Sequence, residues 1–206
     1  MNIEILISFV LASTVLAFSP GPDNIFVLTQ SIVNGKKYGL ATVIGLVIGC
    51  IVHTTLLAFG VSAIIKESES LFFIIKLFGA VYLIYLAFKV FKANASIIVS
   101  KDSVEKKSTK ELFKQGFIMN VLNPKVSIFF LAFFPGFLFS DSLNTIVQFY
   151  VLGLLFMLVT FIVFSTIAIL AGAISEYIKK HKNVGLYLKW IQIVVFIGIA
   201  IFILVT

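Results

Sequence analysis

Two charged side chains are set apart in the 206-residue sequence, because each lies inside a long apolar stretch and each immediately follows a proline: Asp23 after Pro22, and Lys125 after Pro124. An acid and a base held near one another away from water can take a zwitterion end to end, the carboxylate binding an ammonium group and the lysine a carboxylate. The acid can also carry a coupling proton. Three amides stand beside the pair, Asn24, Asn120 and Asn123, and could supply neutral hydrogen bonds. The prolines add a backbone effect. Proline lacks an amide hydrogen and disfavours helix in the residue before it. The run Ser19-Pro20-Gly21-Pro22 and the proline at 124 should therefore unwind any helix containing them and free polar backbone groups to line a site.

The rest of the chain decides what kind of site this is. Composition is 60% hydrophobic and only 12% charged, with a mean hydropathy of +1.13, whereas a soluble domain carries roughly 25% charged residues. So short a chain cannot hide that much apolar surface in one core, and most of it must face lipid. A bilayer core of about 30 Å takes about 20 helical residues. The apolar runs between polar breaks predict six spans, over residues 5–31, 39–63, 71–91, 115–139, 144–174 and 184–205. Asn34-Gly35-Lys36-Lys37, Lys66 to Ser70 and Ser140-Asp141-Ser142 punctuate them. The first stretch carries no basic residue ahead of it, only Glu4, so it reads as a span and not as a cleaved leader.

All sixteen basic residues are lysine, for a net charge of +7. Eleven fall in the first, third and fifth connections, against one, Lys66, in the other connections and tails. A bias of this kind marks the cytoplasmic side, so both termini should face the outside. The charge is explained by topology, and no nucleic-acid partner is needed. Asp23 then lies eleven residues from the cytoplasmic turn at Asn34, and Lys125 eleven residues from Lys114. Each is roughly 16 Å deep at about 1.5 Å per residue, near the midplane of the bilayer, where a charge is costly and usually functional.

The polar connection over 92–114 reads as a cytoplasmic linker between halves 1–91 and 115–206. Three spans in each half force opposite orientations if the halves share a fold. Corresponding features occur in both: the breaks at 19–22 and 123–125, and Lys76-Leu77-Phe78-Gly79 against Lys189-Trp190-Ile191-Gln192. The predicted fold is an all-α integral membrane protein, six transmembrane helices arranged as two inverted three-helix repeats with the first and fourth helices broken. Broken helices at equivalent places in inverted halves point to a secondary transporter with its site near the midplane. His53, Lys76 and Tyr82 are further polar candidates for a cavity, although His53 also suits a helix contact and Lys76 can snorkel to an interface. A lone Cys50, two distant histidines and few acids leave no disulfide, metal site or cofactor to expect, and no enzyme of the common kinds.

Several of these residues together resemble the LysE/RhtB family of amino-acid exporters. The likeness is carried by Ser19-Pro20-Gly21-Pro22, the glycine-rich second span, Lys76-Leu-Phe-Gly79-Ala-Val-Tyr82-Leu, and Asn120-x-x-Asn123-Pro124-Lys125 followed by Phe129-Phe130. It implies a bacterial inner-membrane translocator that exports amino acids or close derivatives in exchange for protons. Two departures accompany it: Pro135-Gly136-Phe137 where the family often has Pro-Gln-Phe, and no glycine near Gln192. The expected partners are a small zwitterionic substrate, protons and the bilayer, with a second copy of the chain left open. A metal-cation exporter is the rival within transport, disfavoured because a divalent cation wants several oxygen ligands and no adjacent lysine. A membrane assembly or electron-transfer factor is the rival outside it.

Overall fold

In the computed structural model, residues 2–19, 21–94, 107–181 and 183–205 are described. Pro20, Lys101, Lys106 and Lys182 lie outside them, as does most of the linker, so the first helix break is read on the neighbours of Pro20. Every regular element among the described residues is helical. Four helices are long and apolar enough to cross a membrane singly, and two bent pairs bring the number of spans to as many as six.

The first bent pair is α1 (Ile3–Phe18) and α2 (Pro22–Val33), turned by 60°. Next comes α3 (Lys36–Leu56), which runs through a wider π turn over Leu57–Val61 into α4 (Ser62–Glu67). A single span, α5 (Glu69–Lys92), closes the first half. The second half repeats the order: α6 (Thr109–Val121) and α7 (Pro124–Phe133) form a pair bent by 50°, followed by the long α8 (Thr145–Ile169), the short α9 (Ala171–Lys180) and the span α10 (Val184–Val205).

Local chemistry sets the boundaries that differ from the sequence reading. Helix α6 starts at Thr109, six residues ahead of the expected fourth span, because Ser108 and Glu111 form a reciprocal capping box that begins the helix inside the polar linker. The fifth span ends at Ile169 and not at 174. Leu170 leaves helical geometry there, and α9 continues as a separate amphipathic helix, Ala171 and Ser175 buried and Glu176, Tyr177 and Lys180 exposed.

With lipid tails as apolar as leucine, helices associate through close packing and not through water exclusion. Helix α3 packs on α6 and α8, α1 on α8, and α5 on α10 and α7. The α3–α6 contact is the tightest. A Cβ on Gly45 would run into the carbonyl of Phe113, and one on Gly116 into the carbonyl of Thr42, so the paired glycines let the two backbones touch. Phenylalanine fills the interior along α7, where Phe129 stacks on Phe133 at 4.4 Å and Phe130 on Phe134 at 4.1 Å. Outward-facing positions such as Leu11, Phe78, Leu154, Ile162 and Ile201 are as apolar as the core, as a lipid solvent requires.

Candidate functional site

Both helix breaks open on one cavity of about 40 Å³, lined by Gly21, Pro22, Asp23 and Asn24 from the first break, by Asn120, Asn123 and Lys125 from the second, and by an apolar wall. The breaks lie at matching depth. Pro22–Val33 is 12 residues long and Thr109–Val121 is 13, each about 18–20 Å of helix between the break and its far end at about 1.5 Å per residue.

Each break is built by local rules. Pro22 and Pro124 occupy the first turn of the helices they begin, where a missing amide hydrogen costs nothing. Asn123 caps α7, its Oδ1 accepting from the backbone N–H of Lys125 at 3.0 Å. Its Nδ2 donates to Oδ2 of Asp23 at 2.9 Å, so one amide ties the second break to the first. Asn24 donates to the carbonyl of Ala17 at 2.8 Å, satisfying an acceptor that the end of α1 leaves free. Gly21 caps α2 with no side chain and lies beside the Lys125 ammonium, where an added Cβ would make an ordinary contact 3.5 Å from Nζ.

Asp23 and Lys125 share the cavity without a hydrogen bond to each other. Asp23 is 7% exposed, and its Oδ1 has no hydrogen-bond partner among the described residues. Lys125 Nζ donates to the carbonyl of Ser19 at 3.4 Å and lies 5.2 Å from the ring centre of Phe196 on α10. Ser19 itself is fully buried at the end of α1. Asn120 Oδ1 is also buried, lies against Gly49 of α3, and has no hydrogen-bond partner among the described residues. The cavity therefore presents acceptors without donors on one side and a cation on the other.

The remaining polar candidates lie off the cavity lining. His53 Nε2 donates to the carbonyl of Asn120 at 3.1 Å, so the histidine ties α3 to the end of α6 from behind. Lys76 lies 5.5 Å from the ring centre of Phe72, and Tyr82 packs against Tyr85 on the same helix. Gln148, Thr55 and Tyr150 serve helix and loop contacts. The apolar wall was not anticipated from sequence. Phe156, Thr160 and Phe164 line the cavity as one stripe of α8, and Phe129 and Val126 of α7 continue it. Their signal was the four-residue spacing of a single hydroxyl between two aromatic rings within an otherwise lipophilic span.

Two helix breaks thus meet at one partly polar cavity inside a bundle of apolar helices. The LysE type translocator profile matches residues 14–206. The chain belongs to that family. Over 183 residues, covering 89% of this chain and 88% of the relative, the translocator is 32% identical to the homoserine/homoserine lactone efflux protein of Salmonella typhimurium. It is 33% identical to the protein of that name from Salmonella typhi over the same share of each chain. No solved structure matches it. The translocator is thus a multi-pass inner-membrane exporter of a small molecule and not an enzyme. No group of three or more potential metal ligands occurs among its described residues.

Proposed function

We propose that the chain exports amino acids or closely related zwitterions in exchange for protons, by alternating access of two inverted halves. The observation that carries this reading is the unpartnered Oδ1 of Asp23 in the same cavity as the Lys125 ammonium. A substrate α-ammonium finds Asp23 and the side-chain Oδ1 of Asn120. Its α-carboxylate finds Lys125 and the uncapped first turn of α2, whose amides carry partial positive charge. The printed names of the relatives, efflux proteins for an amino acid and its lactone, agree with this chemistry.

Exchange follows from competition for one carboxylate. A proton and a substrate ammonium both neutralise Asp23, so one displaces the other, and an inward proton gradient drives substrate outward. The cavity has room for a few waters only, so loading requires the halves to part. Part of the packing repeats between the halves: exchanging them turns the α3–α6 contact into α8–α1 and leaves α3–α8 and α5–α10 as they are, whereas α2–α3 and α5–α7 have no counterpart of like extent. Periplasmic termini are supported by the bond from the Asn2 amide to the Phe139 carbonyl at 2.8 Å, which sets the amino-terminal end beside the lysine-free loop after α7.

The test is counterflow in proteoliposomes with a panel of radiolabelled amino acids and an imposed pH gradient. Accumulation that follows the gradient is expected. Failure of every amino acid to move refutes the exporter reading, and movement indifferent to the gradient refutes the proton coupling.

A further inference from the structure

Asp23 and Lys125 line one cavity in largely apolar surroundings, yet no hydrogen bond joins them. Opposite charges attract more strongly away from water, and a lysine has a long flexible stem with which to follow that attraction. Something must hold the pair open. On the acid's side the restraint is the Asn123 amide, which engages Oδ2 and leaves Oδ1 free. On the lysine's side the hydrogen bonding is thin. An ammonium has three donors, and the bond from Nζ to the Ser19 carbonyl is 3.4 Å long, longer than the usual N–H···O distance.

The rest of the restraint comes from α10. Phe196 is 1% exposed, and its ring centre lies 5.2 Å from Nζ, inside the roughly 6 Å within which the negative face of an aromatic ring attracts a cation. Helix α10 otherwise stays clear of the site. It packs mainly on α5, and among the described residues neither helix contributes to the cavity lining. A single ring therefore carries the influence of α10 on the charged centre.

We propose that Phe196 is a positioning residue that holds the Lys125 ammonium off Asp23 and so keeps the carboxylate open to a substrate ammonium or a proton. This rests on the exporter reading above and deepens it, by naming what stops the two charges of the site from neutralising each other. When the attraction of the ring is weakened, Lys125 swings to Oδ1 of Asp23 and forms an ion pair with which substrate must compete. Only molecules with the pair open then bind, so apparent affinity falls by that fraction while the step after binding is unchanged.

The experiment measures KM and maximal rate for counterflow of radiolabelled homoserine by the purified full chain in liposomes, with Phe196 replaced by phenylalanines carrying one, two and three ring fluorines. Fluorine withdraws electron density from the face of the ring at nearly constant shape, so it weakens the hold on a cation in steps and leaves packing alone. KM is expected to climb with each fluorine, by about tenfold across the series, at constant maximal rate and melting temperature. Phe196→Leu, ringless and of similar bulk, should reach at least the KM of the trifluorinated protein. A KM indifferent to fluorination overturns the proposal and leaves Phe196 as packing, as does a series in which maximal rate falls and KM stays put. If another amino acid moves and homoserine does not, it takes the place of homoserine in the same series. A wild type that moves no amino acid overturns instead the exporter reading beneath the proposal.

Discussion

Asn123 reaches across 100 residues of sequence to donate its side-chain amide to Asp23 at 2.9 Å, while the other end of the same amide group caps the helix that begins at Pro124. The cap and the bridge cannot be separated. Where α7 begins determines where Asn123 points, and where Asn123 points determines which oxygen of Asp23 stays open to a ligand.

Replacing Asn123 by alanine removes both functions. Loss of a cap costs about 1 kcal/mol, and a buried carboxylate oxygen without its donor costs about 1–3 kcal/mol more. The expected outcome is a lower unfolding temperature in detergent and weakened efflux. Asn123→Ser keeps a capping oxygen but cannot span to Asp23, so it should recover part of the stability and little of the transport. Equal melting of the alanine variant and wild type would show that the bridge contributes nothing.

Asp23→Asn and Lys125→Met change charge at nearly constant shape. Each should reduce efflux to the level of empty vesicles while the protein still inserts and elutes as a single species. Asp23→Asn keeps an acceptor for Asn123, so its loss of transport would reflect charge and not packing. If both variants transport normally, the two charges only fix helix register, a role that buried charges fill elsewhere.

Gln148 illustrates a polar residue whose purpose is structural. It is 2% exposed, its Oε1 accepts from the amides of Phe139 and Ser140, and its Nε2 donates to the carbonyls of Ser140 and Leu143. One side chain thus satisfies four backbone groups of the loop between α7 and α8. Gln148→Leu strands four backbone groups and should destabilise the protein by about 2 kcal/mol or more, visible as a lowered melting temperature. Substrate affinity in the surviving folded fraction should be unchanged, since Gln148 lies off the cavity lining.

The spans were legible because lipid imposes a simple length and composition rule, and the two breaks because proline acts on its own backbone wherever it stands. Asp23 and Lys125 could be set at one depth by counting residues from the lysine-rich turns. Partners were harder. Nothing in the order of residues says that Asp23 is held by Asn123 in place of Lys125, because that choice depends on the 60° and 50° bends that bring the two breaks together. Thr160 and Phe196 escaped for a related reason: both are ordinary residues of apolar helices, and only packing sets Thr160 in the cavity lining and the Phe196 ring beside the Lys125 ammonium. Where Leu170 would end α8 was also hidden, since no proline or glycine precedes the break.

The α3–α6 contact offers a test of how the second break is held in place. Gly45 and Gly116 meet opposing backbone, which cannot yield as a side chain can. A methyl at either position must push the helices apart, and overpacking of this kind costs about 1–3 kcal/mol. Gly49 lies one turn further along, where an added Cβ would sit 2.7 Å from Oδ1 of Asn120, a residue of the cavity lining. Gly45→Ala and Gly116→Ala should therefore reduce the yield of folded protein. Gly49→Ala should do less to folding and more to transport, because it displaces Asn120 from the site. Gly60, in the π turn with nothing within 4 Å of an added Cβ, is the control: Gly60→Ala should leave melting and efflux unchanged. The contrast is measured by the monodisperse fraction on size exclusion and by counterflow on the same preparations. If Gly49→Ala and Gly60→Ala transport alike, the position of Asn120 is immaterial to the site.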